Sequence, residues 1–190
     1  MYIYIALTLV FLFSFSLDSR AQIVALKTNL AYDAVAAANL GLEFGLAPRW
    51  TMDISGNYMP WKFYTGTSRK HAFVQPEARY WFCDRFAGHF LGIHAHGGIY
   101  NITGVGILDK IPFMPDEVSL LDERRYQGWF AGAGLAYGYA VILGKHWNME
   151  FEIGGGYAFT RYDIYECDEC GSNLGSKDRH YFGLTKAAIN

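Results

Sequence analysis

Asn39-Leu40-Gly41-Leu42-Glu43-Phe44-Gly45-Leu46 alternates without a fault. Leu40, Leu42, Phe44 and Leu46 take one face of an extended chain, and Asn39, Gly41, Glu43 and Gly45 take the other. Successive side chains of a strand point to opposite faces, so this stretch predicts a strand with one oily side and one side that mixes charge with glycine. The same period runs from Val24 to Asp33, where Val24, Leu26, Thr28, Leu30 and Tyr32 oppose Ala25, Lys27, Asn29, Ala31 and Asp33.

Downstream the pattern returns six more times. Trp50, Met52, Ile54 and Tyr58 oppose Thr51, Asp53, Ser55 and Asn57. Ala72, Val74, Ala78, Tyr80 and Phe82 oppose His71, Phe73, Gln75, Glu77, Arg79 and Trp81. Leu91, Ile93, Ala95 and Ile99 oppose Gly92, His94, His96 and Gly98. From Tyr126 onward, Trp129, Ala131, Ala133, Leu135 and Tyr137 oppose Gly128, Gly132, Gly134 and Gly138. Trp147, Met149, Phe151 and Ile153 oppose Asn148, Glu150, Glu152, Gly154 and Gly156. In the last segment, His180 to Asn190, the sequence sets Tyr181, Gly183, Thr185, Ala187 and Ile189 against Lys186. Each segment covers roughly the ten residues that a tilted strand needs to cross an outer membrane. The expected fold is all-β, an eight-stranded antiparallel up-and-down transmembrane β-barrel.

Alternation alone does not say which face is inside. Three features do. Glycines crowd the charged face (Gly41, Gly45, Gly92, Gly128, Gly132, Gly154), as expected where large side chains share a narrow interior. Tyr32, Trp50, Tyr58, Tyr80, Trp129 and Trp147 sit near strand ends on the apolar face, where a girdle would meet the membrane boundary. The connections at 47–49, 83–88 and 140–146 are short, whereas those at 59–70, 101–124 and 162–179 are long, with 34–38 the exception. Short periplasmic turns and longer outer loops have this rhythm. The polar face is therefore read as the lumen. Pro76 costs a ladder hydrogen bond and suggests a bulge.

Composition agrees. Charged residues make up 18% of the 190-residue chain, below the roughly 25% usual for soluble domains. The length suits one domain. A net charge of −2 with no basic tract argues against a nucleic-acid partner. Ile3 to Leu17 is an apolar run followed by Ser19-Arg20-Ala21-Gln22, with small residues where a signal peptidase reads. Residues 1–21 are expected to be a secretory signal and 22–190 the barrel, exported to the outer membrane of a Gram-negative bacterium. No Lys or Arg precedes the apolar run, which places the natural start upstream of Met1 in this reading.

The inferred lumen gathers Lys27, Asp33, Glu43, Asp53, Glu77, Arg79, His94, His96, Glu150, Glu152 and Lys186. Paired carboxylates can serve general acid–base work, but small barrels also fill their interiors with interlocking ion pairs. His94 and His96, with His89 nearby, could chelate a transition metal from one face, yet two ligands do not make a site and no metal is expected. Cys167 and Cys170 lie in the last long connection as a disulfide candidate; zinc would need ligands beyond them and His180. Cys83 is left over as a small buried residue or free thiol. Thr103 to Arg124 carries Asp109, Asp116, Glu117, Asp122 and Glu123 beside an unusually apolar set that includes Ile107, Phe113 and Leu121, a patch that could pack on itself or receive a protein. No nucleophile elbow, phosphate loop or His-Glu-x-x-His occurs, and no cofactor is expected.

Six motifs together carry a family resemblance. They are Lys27-Thr28-Asn29-Leu30, Asn39 to Gly45, Val74 to Phe82, Arg125 to Trp129, Leu143-Gly144-Lys145 with Trp147-Asn148, and Tyr181-Phe182-Gly183 with Thr185-Lys186-Ala187. The chain resembles a Bacteroidetes-type family known only as a domain of unknown function, DUF3575, over nearly all of its mature length. The resemblance implies an outer-membrane β-barrel, with some members encoded near fimbrial assembly components, and no assigned activity. It also implies a few further apolar residues after Asn190, so the last strand is expected to be clipped.

Three functions compete on these grounds. The first is a non-enzymatic barrel that anchors or scaffolds surface assemblies or stabilises the envelope, with outer-membrane lipid and surface or fimbrial proteins as partners. The second is an outer-membrane enzyme acting on lipid or peptide through lumen-rim His and acidic residues. A pore ranks third, because the lumen of eight strands should be blocked by side chains.

Overall fold

The computed structural model describes residues 24–60, 68–103, 125–166 and 171–190. Eight strands form one antiparallel sheet in chain order: β1 Val24–Lys27, β2 Ala38–Ala47, β3 Trp50–Met59, β4 Ser68–Trp81, β5 Gly88–Thr103, β6 Arg125–Ile142, β7 Asn148–Tyr165 and β8 Asn173–Ile189. One helical turn, α1 (Leu30–Asp33), separates β1 from β2. Every neighbouring pair is an up-and-down antiparallel pair, as the alternation requires.

The sheet cannot be flat. Arg79 on β4 reaches Glu150 and Glu152 on β7 at 3.1 and 2.8 Å. Strands three places apart in a flat sheet would stand about 14 Å from one another at the usual spacing. The sheet therefore curls around a shared interior. Its two edges are not joined by a strand ladder. Instead the Asn29 side chain bridges them, donating to the Ala187 carbonyl and accepting from the Ile189 N–H, both at 3.3 Å.

Inside and outside are inverted relative to a water-soluble protein. Leu26, Ile93, Leu135 and Ile153 are each more than 60% exposed, while Glu43, Glu77, Arg79 and Glu150 are at most 1% exposed. Inward glycines make this interior possible. A Cβ at Gly138 would sit 2.3 Å from Phe90, one at Gly132 would sit 2.5 Å from the His96 ring, and one at Gly92 would meet the Glu77 carboxylate at 2.5 Å.

Several expectations need correction. The first strand stops at Lys27 rather than running to Asp33, because Asn29 caps α1 by accepting from the Ala31 N–H. Thr28, Asp33 and Asn39 then tie that turn together, so Asp33 is exposed and lies outside the interior network. Tyr32 turns inward against Phe73 (6.0 Å, edge on) instead of joining an outer girdle. Pro76 makes no bulge. Its register is continuous on both sides, and the β4–β5 ladder merely skips two pairs. The bulge falls at Thr185, where Gly154 pairs with Lys186 but Gly155 pairs with Leu184. That extra residue turns Thr185 inward to His94 and puts Gly183 and Tyr181 on the inner side of the ladder, with Leu184 and Phe182 outside.

Residues 162–165 and 173–179, expected in a long connection, are strand. β7 and β8 continue as a ribbon beyond the apolar band, held by a bidentate Arg161–Asp178 pair (2.7 and 3.0 Å) and a Ser176–Asp163 hydrogen bond. The Thr103–Arg124 patch, apart from Thr103, and the Cys167–Cys170 pair fall outside the described residues. Cys83 is an exposed free thiol.

Candidate functional site

The interior is layered along its axis. At the short-turn end, Trp81 and Phe90 pack at 4.6 Å with Phe86 beneath Trp81 at 6.2 Å, and Ala140 completes the plug. Phe86 holds a left-handed backbone (φ 65°) while its ring is buried. Such strain costs on the order of 1–2 kcal/mol for a side-chain-bearing residue and persists only where packing over-determines it.

Above the plug lies a charged layer whose hub is Arg79. Its Nε donates to Glu77 (2.6 Å), Nη1 to Glu43 (2.8 Å) and Glu150 (3.1 Å), and Nη2 to Glu152 (2.8 Å). The guanidinium plane also stacks on Phe90, 4.6 Å from the ring centroid. Lys27 bridges Glu150 (2.7 Å), Glu43 and Asp53 (3.4 Å). Lys186 bridges Glu77 (2.6 Å) and Glu152 (3.1 Å). Glu43 takes a further hydrogen bond from Thr51, which in turn accepts from the Trp81 indole N–H at 2.9 Å. Six strands thus send charges to one point, because period two places them all on the inner face. Glu43, Asp53, Glu77, Glu150, Glu152, Lys27, Arg79 and Lys186 come together as one network. Such a network adds little net stability over an apolar filling, yet breaking it leaves uncompensated charge and is costly.

Next comes a histidine layer. His94 Nε2 lies 2.9 Å from Thr185 Oγ1, and its Nδ1 is 3.7 Å from Glu77 Oε2. Hydroxyl, imidazole and carboxylate follow the order of a hydrolytic triad, but the imidazole–carboxylate contact is too long for a hydrogen bond. Glu77 is meanwhile committed to Arg79 and Lys186. The carboxylate therefore does not orient the ring. His96 stacks loosely on His94, with centroids 5.7 Å apart. His89 faces outward and bonds Tyr137 at 2.6 Å, so it does not join them. Among the described residues no group of three metal-ligating side chains occurs.

Directly above the charged layer, with neither histidine in its lining, is a cavity of about 250 Å³. Lys27, Asp53, Arg79 and Lys186 form its floor; Ser55, Asn57 and Gln75 stand in its wall, and Tyr32 and Phe73 close over it. Sequence reading missed this cavity, because it depends on α1 folding Tyr32 inward and on the bulge at Thr185. The Asn29 cap and Gly183 just before Thr185 were the only local signals.

No curated protein and no solved structure shows significant similarity to the chain. A family profile described as "protein of unknown function (DUF3575)" matches residues 7–190. The match spans nearly the whole sequence, and the chain belongs to the DUF3575 family.

Proposed function

We propose that this protein is a non-enzymatic outer-membrane β-barrel of a Bacteroidetes-type Gram-negative bacterium, serving as a surface anchor or scaffold that also stiffens the envelope. The observation that carries this reading is the inversion of the sheet: a belt of exposed Leu, Ile and Phe surrounds a buried, ion-paired interior. In water that belt would forfeit roughly 1.5–3 kcal/mol per large aliphatic side chain; against lipid it loses nothing. Outward Trp50, Tyr58, Trp129 and Trp147 fit a membrane-boundary girdle. A scaffold role is supported by an interior blocked below its cavity by the aromatic plug and the charged layer, and by β5–β8, whose 16 to 18 residues exceed what a crossing needs and would raise one wall above the bilayer. That wall and the connections beside it would meet surface or fimbrial proteins. Cell fractionation, heat-modifiable gel migration and crosslinking of neighbours in intact cells test the reading together. Recovery in the outer membrane with a reproducible crosslinked surface partner is expected. A detergent-independent soluble monomer would refute it.

A further inference from the structure

Three observations meet at the cavity above the charged layer. First, the Asn57 side chain lines it, is 8% exposed, and its Oδ1 has no hydrogen-bond partner among the described residues. A buried amide oxygen without a partner costs about 1–3 kcal/mol, so such a group marks a place where something else bonds. Second, the charges on the floor are already spoken for. Lys27, Arg79 and Lys186 each face at least two carboxylates, and the five carboxylates outnumber the three cations. An added anion would meet net negative charge, and an added cation would meet the cationic tips that line the floor. Third, the cavity breaches the wall. Leu40 and Leu184 are outward residues, 55% and 57% exposed, yet both line it. Leu184 stands on β8, one edge of the sheet, and Leu40 on β2, one residue past the last β1–β2 pair (Lys27 with Gly41), where β1 has ended and no ladder closes the sheet.

From this we infer that the cavity binds a neutral, hydroxyl-rich group, a sugar ring, carried on a lipid and admitted sideways through the seam. Hydroxyls donate and accept equally well, which suits Asn57, Ser55 and Gln75, while the Tyr32 and Phe73 rings offer an apolar lid to the C–H face of a sugar. The volume, at the small end of ligand pockets, suits one ring rather than an oligosaccharide. The chain of the lipid would lie outside, along Leu40 and Leu184. The sideways route rests on the membrane placement proposed above; the cavity itself does not.

The test uses the mature chain folded in phosphocholine nanodiscs, with the side-chain amide NMR signals of Asn57 and Gln75 as reporters. Methyl β-glucoside probes a free sugar and octyl β-glucoside a sugar on a chain; octyl sulfate and octyltrimethylammonium control for charge. Octyl glucoside is expected to shift both amides saturably, at least tenfold more tightly than methyl glucoside, with no comparable shift from the charged octyl compounds. Asn57→Ala and, as a milder change, Ser55→Ala should each weaken the Gln75 response severalfold while gel migration stays that of the folded protein. No saturable shift with either glucoside would overturn the site. An equal or stronger response to octyl sulfate would overturn the neutral-ligand assignment. Equal affinity for the two glucosides would overturn the sideways route. Failure of any arm in a protein that still folds in lipid leaves the scaffold reading untouched, so the two can fail separately.

Discussion

Replacing Arg79 with Met removes the hub of the interior. The wild-type guanidinium is fully buried and donates to four carboxylates, at 2.6, 2.8, 2.8 and 3.1 Å. Without it, Glu43 and Glu150 retain Lys27, while Glu77 and Glu152 retain Lys186. Each carboxylate thus loses one of two cations, and the interior becomes more negative by one charge. Breaking a buried ion pair from one side typically costs about 3–5 kcal/mol. The surviving lysines hold the expected loss to that range even though four bonds vanish. With a urea slope of about 1–3 kcal/mol per molar, the unfolding midpoint should fall by at least roughly 1 M. The assay is urea unfolding of detergent-folded protein, followed by tryptophan fluorescence and by gel migration. Arg79→Lys should recover only part of the loss, since a point charge cannot reach what the planar fork reaches. Arg161→Ala, at an exposed pair, serves as the control and should leave the midpoint in place. A loss below about 1 kcal/mol for Arg79→Met would refute the reasoning, because it would mean that water readily replaces the guanidinium and that the interior is wet.

Other outcomes follow from the same geometry. Leu42→Lys, on the outward face beside buried Glu43, should impair insertion by roughly 2–4 kcal/mol if the site lies near the bilayer midplane, measured as the folded fraction in lipid vesicles. Gly138→Leu should abolish the folded gel band, since the Cβ alone would lie 2.3 Å from the Phe90 ring and 2.8 Å from the Phe151 carbonyl. If the chain is exported as proposed, Cys167 and Cys170 should form a disulfide, so that non-reducing mass spectrometry finds their peptide lighter by two hydrogens; zinc retained through purification would contradict this.

Much of the architecture was legible because one rule, period two, governs both the strands and the side on which charge is buried. Glu43, Glu77, Arg79, Glu150 and Glu152 each sit at an inward register position, and wide sequence separation did not hide their meeting. The rule fails where another local interaction competes with it. At Thr28–Asp33 the alternation continues in sequence, yet the Asn29 side chain satisfies a helical turn, and the strand ends. At Thr185 one additional residue reverses every face before it, which no alternation count detects. The ribbon ends of β7 after Asp163 and of β8 before Asp178 were hidden for the opposite reason. Their few apolar residues, Ile164 and Leu174 among them, are too sparse to make an oily stripe, so the ribbon reads as loop, although cross-strand pairs hold it. The cavity, being a product of the first two failures, was not legible at all.

The proposal stands or falls on whether the oily face of the sheet meets lipid while the charged face turns inward. Single nitroxide labels at Leu91, Ile93 and Ala95 on β5, in a cysteine-free background within lipid vesicles, test it most directly by their accessibility to molecular oxygen and to a water-soluble nickel chelate. All three side chains point outward, so each label should be readily reached by oxygen and shielded from nickel. Labels reached by nickel at all three positions would place that face in water and contradict the account.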